Sequence, residues 1–231
     1  MKVSRQEQLR SRGIFVVLEG IDCVGKSTVL KELVKQLDKK FQENRFWSGY
    51  QGYVTTFEPG GGSKVSLAIR DLILKPTDQK RLNNLTEALL FAASRNENVI
   101  NVIKPNLFAK KIVISDRFVD SSYVYQGLEK KLGYDLVNQI NQLVIKDLQI
   151  DLTFYLYIQD SVWQERMKQR SQSHNFNVLD SINFQKIKND YQTVYQLEEV
   201  KNRKIIAIKN DSKIDTVVEE IIKHISEFEI N

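Results

Sequence analysis

Gly13-Ile14-Phe15-Val16-Val17-Leu18-Glu19-Gly20-Ile21-Asp22-Cys23-Val24-Gly25-Lys26-Ser27-Thr28 is the stretch on which the reading of the fold turns. Its first half is a short apolar run rich in β-branched residues, the pattern of a strand buried on both faces. The Val29/Leu30, Leu33/Val34, Leu37 spacing that follows is helical. Between strand and helix lies G-x-x-x-x-G-K-[ST], residues Gly20, Ile21, Asp22, Cys23, Val24, Gly25, Lys26 and Ser27, with Thr28 following. Glycines let backbone N–H groups curl around phosphate oxygens, and the helix N-terminus adds its positive end. Lys26 is placed to reach β and γ phosphates, and Ser27 to hold Mg²⁺. A bare glycine turn with a surface lysine matches the same letters, but its position between a buried strand and a helix makes a nucleotide-phosphate loop the stronger reading.

Outward from this loop, the 231 residues suit one α/β domain, with 42% hydrophobic and 27% charged residues. The net charge of +5 does not point to nucleic acid, because lysines and arginines are spread along the chain and a phosphate site accounts for the bias. A single cysteine excludes an internal disulfide or a multi-cysteine zinc site, so a cytoplasmic location is the default. No stretch is long and apolar enough to suggest a membrane span. Residues 1–12, polar and basic, are expected to be a flexible extension, and 13–231 a single domain.

Strand and helix patterns alternate along the rest. The first helix is expected to end near Phe41, and 42–52 is a connection carrying Phe46, Trp47 and Tyr50. Tyr53 to Phe57 reads as a second strand, broken by Glu58-Pro59-Gly60-Gly61-Gly62. Ser63 is placed to cap a helix with Val65, Ile69, Leu72 and Ile73 on one face, and Arg70 off that face near the glycine turn. Residues 78–103 give the longest helical pattern, through Leu82, Leu85, Leu89, Ala92, Val99 and Ile103, and Pro105 is expected to stop it. Ile112-Val113-Ile114 is a third strand. Tyr134, Val137, Ile140, Leu143, Val144 and Leu148 mark a helix, 152–158 and 205–208 two more strands, and Val217 to Phe228 a closing helix. Strands separated by helices imply a parallel sheet flanked by helices, with ligands at the carboxyl ends of the strands. On that rule the phosphate loop, the Glu58 turn, Asp116-Arg117 and the loop after Ile208 share one crevice.

Three further groups carry chemistry. Asp116, Arg117, Ser121, Ser122, Tyr125 and Gln126 follow a buried strand. Alone, Asp116-Arg117 would be a local ion pair beside a helix cap; beside a phosphate loop, Asp116 suits Mg²⁺ and its waters and Arg117 a bidentate phosphate grip. Phe91 and Arg95 stand one helical turn apart. They suit either a core aromatic with a solvated cation, or a pair that stacks on and hydrogen-bonds a base. Arg166 and Arg170, also one turn apart, precede polar 171–177. Their charges either offset a helix dipole or belong to a lid over about 166–180 that closes on phosphates. His174 and His224 read as exposed rather than catalytic.

Taken in order, Glu19-Gly20-Ile21-Asp22-Cys23-Val24-Gly25-Lys26-Ser27-Thr28, Glu58-Pro59-Gly60-Gly61, Glu87-Ala88-Leu89-Leu90-Phe91-Ala92-Ala93-Ser94-Arg95, Asp116-Arg117-Phe118-Val119-Asp120-Ser121-Ser122 and Tyr125-Gln126-Gly127 resemble the thymidylate kinase family of P-loop nucleoside monophosphate kinases. Asp151-Leu152-Thr153-Phe154-Tyr155-Leu156 is similar to the family's fourth strand. The resemblance implies a 2-3-1-4-5 sheet with a lid, a cytosolic homodimer, and transfer of the γ-phosphoryl group of ATP to dTMP with Mg²⁺. It implies that Phe91 stacks on thymine, with Arg95, Ser122 and Gln126 along its polar edges. Arg70 and Arg117 would hold the dTMP phosphate, Asp22 the 3′-hydroxyl, and Tyr125 the sugar face where a ribose 2′-hydroxyl would clash; Glu58 and Ser121 join this acceptor set. The catalytic set would be Lys26, Arg117, Asp116 and the lid arginines Arg166 and Arg170, with Ser27 and Asp116 toward the metal. Phe57 stands where many bacterial relatives have arginine before Glu-Pro-Gly-Gly, and Val178 where relatives often have arginine before the lid's Leu-Asp. Cys23 replaces the loop arginine of some relatives, which resembles the subgroup with a catalytic arginine in the lid. Other nucleotide kinases and nucleotide-dependent switches share the loop and the sheet, so acceptor choice rests on the Phe91 and Asp116 motifs.

Overall fold

Phe15–Glu19 forms β1 with all five residues buried, as an uninterrupted apolar run requires of a central strand. Tyr53–Phe57 (β2), Ile112–Asp116 (β3), Leu152–Tyr157 (β4) and Ile205–Lys209 (β5) complete a five-stranded parallel sheet of order β2-β3-β1-β4-β5. This is the expected order. The structure is a computed structural model that describes residues 12–43, 49–75, 82–171, 184–199, 203–211 and 213–230. Phe46, Trp47, His174, Val178 and most of the expected lid therefore lie outside the described residues. Contacts group the chain into two compact units, Met1–Val17 with Gly49–Asp151 and Leu18–Ser48 with Leu152–Asn231.

In the first unit, β2 leads through the Glu58 turn into α2 (Lys64–Leu74). Ser63 caps this helix as expected, accepting a hydrogen bond from Ser66 N at 3.1 Å. Its hydroxyl also donates to Glu97 Oε2 at 2.7 Å. Ser63→Ala should cost about 1 kcal/mol, and a thermal melt should register it as a drop of about 2–4 °C. Only part of the expected apolar face of α2 is covered: Ile69 and Ile73 are half-buried. Val65 and Leu72 are exposed, and the buried residue is Ser66, whose hydroxyl pairs with Ser94 Oγ at 2.7 Å and donates to Ser94 O at 3.2 Å. Small hydroxyl residues bring the two helices close and leave the large side chains outside.

The long helical pattern divides into α3 (Asn84–Asn98), a π-helical turn (Val99–Ile103) and α4 (Lys104–Phe108). Pro105 does not end it. The wide turn restarts the hydrogen-bond ladder, so Pro105 falls in the first turn of α4, where a missing N–H costs nothing extra. Leu85 and Leu89 are exposed, and the stripe that α3 buries is Ala88, Ala92, Ser94, Arg95 and Asn98. After β3 come α5 (Val119–Ser122), a second π-helical segment (Tyr123–Glu129) and α6 (Tyr134–Ile145). On α6, Leu143 is 74% exposed instead of packed, while Val137, Ile140, Asn141 and Ile145 are buried. Arg12, counted with the flexible extension on sequence, donates twice to the Asp151 carboxylate at 2.8 Å, which also accepts Phe15 N at 2.7 Å.

The second unit holds α1 (Lys26–Gln42), α7 (Asp160–Ser171), α8 (Phe184–Glu199) and α9 (Ile214–Ile230) beside β4 and β5. Val29, Leu33 and Leu37 of α1 are fully buried, and Val217, Val218, Ile221, Ile222 and Ile225 form the inner face of α9. His224 is half-buried near Phe154, ring centres 6.2 Å apart, rather than fully exposed. α8 buries Ile187, Tyr191, Val194 and Tyr195, a helical spacing that marks this otherwise unassigned segment. No helix among the described residues is long and apolar enough to cross a membrane.

Candidate active site

The phosphate loop owes its course to two glycines. Gly20, at φ +139°, would place a Cβ 2.4 Å from Leu156 O, and Gly25, at φ +94°, one 2.7 Å from Asn210 Nδ2. Neither site admits a side chain. The loop's carbonyls are taken up by donors around it. Lys26 Nζ donates to Gly20 O at 2.7 Å and Ile21 O at 2.9 Å, and Trp163 Nε1 to Asp22 O at 2.9 Å. Val24 O accepts from Asn210 Nδ2 at 2.6 Å and Arg166 Nη1 at 3.2 Å, and Gly25 O from Val29 N at 2.9 Å. With its carbonyls fixed this way, the loop has N–H groups to offer an anion. Ile21 and Val24 are buried, Cys23 is half-buried at φ +67°, and Ser27 and Thr28 are exposed on the first turn of α1. Asp22 lies 3.8 Å from Lys26 Nζ.

Arg166, a lid arginine on sequence, is a brace for this loop: its Nη2 also reaches Asn210 O at 3.1 Å. Arg170 is on the last turn of α7, and its side chain lies outside the described residues. Beside the loop, Glu19 is fully buried and accepts from Tyr191 Oη at 3.1 Å. Burial, with the charge of Glu19 adding, pushes the Tyr155 phenol well above the ordinary tyrosine value. The folded protein therefore holds that proton more tightly than the unfolded chain. The stability it confers is complete below about pH 10, the unfolded tyrosine value, and is lost above it. Tyr155→Phe should flatten the fall in stability on the alkaline side, which denaturant titrations at pH 8 and above would measure.

In the first unit, the residues after β2 and β3 meet around Arg95. This arginine is 1% exposed, and its Nε donates to Glu58 Oε2 at 2.6 Å. Its Nη1 donates to Asn141 Oδ1, and its Nη2 to Ser122 Oγ at 3.0 Å and Phe118 O at 3.2 Å. Four of the five guanidinium hydrogens are thus engaged, so Arg95 is neither a solvated cation nor a mobile one. Asn98 Nδ2 holds the other Glu58 oxygen at 3.2 Å. Phe91, one turn earlier on α3, is half-buried. Gln126 Nε2 donates to Glu87 Oε1 at 2.9 Å, and its Oε1 is buried without a hydrogen bond among the described residues.

Arg117 has φ +70°, an unusual conformation for a residue with a side chain and one often found at working sites. Its Nη1 donates to Ser121 Oγ at 2.8 Å, and its guanidinium lies 5.5 Å from the Tyr125 ring centre. Asp116 is half-buried at the end of β3, where its backbone carbonyl accepts from Glu58 N at 3.0 Å. Arg70 reaches the glycine turn as expected, donating to Pro59 O at 2.5 Å and lying 5.5 Å from the Phe57 ring centre. Phe57 thereby carries a cation over its ring.

Asn98, Asn141, Trp163, Tyr191 and Asn210 entered no sequence-based site. Asn210 had a signal, since it directly follows β5 at the carboxyl edge where ligands bind. Asn141 had a weaker one, a polar residue within the apolar stripe of α6. Trp163 and Tyr191 carry no signal in the sequence that separates them from core aromatics.

A family profile described as thymidylate kinase matches residues 18–221. Thymidylate kinases of Lactobacillus helveticus and Mycoplasma genitalium are each 39% identical to the chain. The first alignment covers 91% of this chain and 94% of the relative, the second 88% and 90%. The crystal structure of a thymidylate kinase from Ehrlichia chaffeensis superposes with a TM-score of 0.67 at 30% identity, covering 92% of this chain and 98% of that one.

Proposed function

The chain belongs to the thymidylate kinase family, and from that premise we propose that it transfers the γ-phosphoryl group of ATP to dTMP, giving dTDP and ADP. Phosphorylation of dTMP with ATP is the reaction that defines the family. The observation that carries the acceptor reading is the buried Arg95 guanidinium, held by Glu58 and Ser122 on the helix that also bears Phe91 one turn earlier; with Gln126 these are the residues that the family's base-binding pattern picks out. Phe91 stacks on thymine, and Arg95 and Gln126 serve its polar edges. Arg70 and Arg117 hold the acceptor phosphate, Asp22 the 3′-hydroxyl, and Ser121, Glu58 and Ser122 keep the arginines in place. Tyr125, set by the Arg117 guanidinium over its ring, crowds the 2′ position. Tyr125→Ala should raise the ratio of ribo- to deoxyribonucleotide turnover; an unchanged ratio would remove Tyr125 from this role.

On the donor side, residues 20–28 cradle the ATP phosphates and Lys26 meets the β and γ groups. Mg²⁺ binds through nucleotide phosphates and waters with one or two protein oxygens, which Ser27 and Asp116 would supply. When bound, the ion neutralises charge on the phosphates. Since Arg166 braces Val24 and Asn210, Arg170 is the stronger candidate for the lid cation that meets the transferred group. Arg170→Ala should lower kcat by roughly two orders of magnitude with little change in ATP affinity, whereas Arg166→Ala should weaken ATP binding itself. Val65, Leu67, Leu72, Ile100 and Phe108, all exposed in the first unit, support a homodimer that covers them. A cytoplasmic location accords with the single cysteine. Resolving the nucleotide products of a reaction with ATP, Mg²⁺ and dTMP tests the proposal: equal amounts of ADP and dTDP are expected, and ADP without dTDP would defeat it.

A further inference from the structure

Tyr191, on α8, is fully buried, and its hydroxyl stands between two acceptors, Glu19 Oε2 at 3.1 Å and Gly20 O at 3.4 Å. Gly20 O is also the acceptor of Lys26 Nζ, at the shorter distance of 2.7 Å. A phenol carries one proton, so it cannot fully serve both acceptors. The distances assign it to Glu19 while the ammonium holds Gly20. In this arrangement Lys26 is folded back on the carbonyls of its own loop, Ile21 O included. To reach a phosphate it must release them, which leaves the Gly20 carbonyl inside the protein without its charged donor, a costly state for a buried polar group.

We propose that Tyr191 is a positioning residue for the donor site: its hydroxyl turns from Glu19 to Gly20 O as Lys26 leaves for the nucleotide, and so keeps the loop in shape during the exchange. The proposal rests on the reading of residues 20–28 as the ATP site. No covalent bond changes; Gly20 O exchanges the ammonium for the phenol, and Glu19 Oε2 gives up the phenol's hydrogen bond in return. The exchange also ties the loop to α8. Tyr191 is held for this task by its ring, whose centre lies 5.2 Å from that of Tyr155 and 5.8 Å from that of Tyr195. Removing only the hydroxyl therefore preserves the packing.

The test is Tyr191→Phe in the full chain, with Tyr195→Phe as a control from the same aromatic cluster. Calorimetric binding of a non-hydrolysable ATP analogue, KM for dTMP and the thermal midpoint are compared with the parent. The expected result for Tyr191→Phe is a roughly 5- to 15-fold weaker affinity for the analogue, with KM for dTMP within about twofold; the midpoint falls as well, because Glu19 loses a donor in the interior. Tyr195→Phe should bind the analogue like the parent. Unchanged analogue affinity in Tyr191→Phe would overturn the proposal, and so would equal losses for both nucleotides, which would make Tyr191 merely structural. A parent protein that binds no ATP analogue would overturn the reading of the loop, and the proposal with it.

Discussion

Lys26→Met is expected to reduce kcat by about 10²- to 10³-fold or more, the scale seen when one preorganised group is removed from developing charge, while dTMP affinity stays within a few-fold of the parent. Phosphoryl transfer spreads charge over oxygens that the protein can only position and neutralise, so a lost cation falls on the transition state more than on substrate binding. Cys23 has no cationic group and cannot substitute for it. Methionine keeps the length of the side chain but frees the carbonyls of Gly20 and Ile21, so the melting temperature should be followed alongside the kinetics. Near-parent turnover in Lys26→Met would mean that the loop is not the donor site.

The second large effect is expected at Arg95. Arg95→Ala strands Glu58, whose side chain is 3% exposed, and breaking a buried pair on one side costs about 3–5 kcal/mol. The same substitution should abolish efficient use of dTMP. Loss of stability alone could explain that result, so the discriminating variant is Arg95→Met with Glu58→Gln. Removing both charges relieves the stranded carboxylate, and stability should largely return. Turnover of dTMP should not. If the double variant recovers both, Arg95 is a structural residue and thymine is recognised elsewhere.

Much of this was legible in the sequence because particular residues allow few conformations. The loop between Gly20 and Lys26 needs glycine at two points, and all five strands are short runs rich in β-branched and aromatic residues, so their order along the chain could be read. Pro105 misled because a proline stops a helix only if the ladder would have used its N–H, and the π-helical turn at Val99–Ile103 removes that need. Helix α2 misled because periodicity reports which residues share a face, not which face is buried; Ser66 against Ser94 decided the latter. The same limit applies at the site. Spacing paired Phe91 with Arg95 but could not show that Glu58, from a distant turn, would neutralise Arg95 in the interior. Nor could it show that Arg166 reaches the loop's carbonyls, since a cation at the end of a helix has the same pattern whether it braces a neighbour or waits for a substrate.

Acceptor selectivity is the most direct measure of the central claim, that a phosphate loop and the Arg95 site together make a dTMP-specific phosphotransferase. The purified protein, with ATP and Mg²⁺, would be given dTMP, dUMP, dCMP, dAMP, dGMP and thymidine in parallel, and kcat/KM determined for each. The account predicts the highest value for dTMP, a low one for dCMP, whose exocyclic amine presents donors to the donor-only Arg95, and none for thymidine. A preference for another monophosphate, turnover of the nucleoside, or ATP hydrolysis that ignores the acceptor would contradict it.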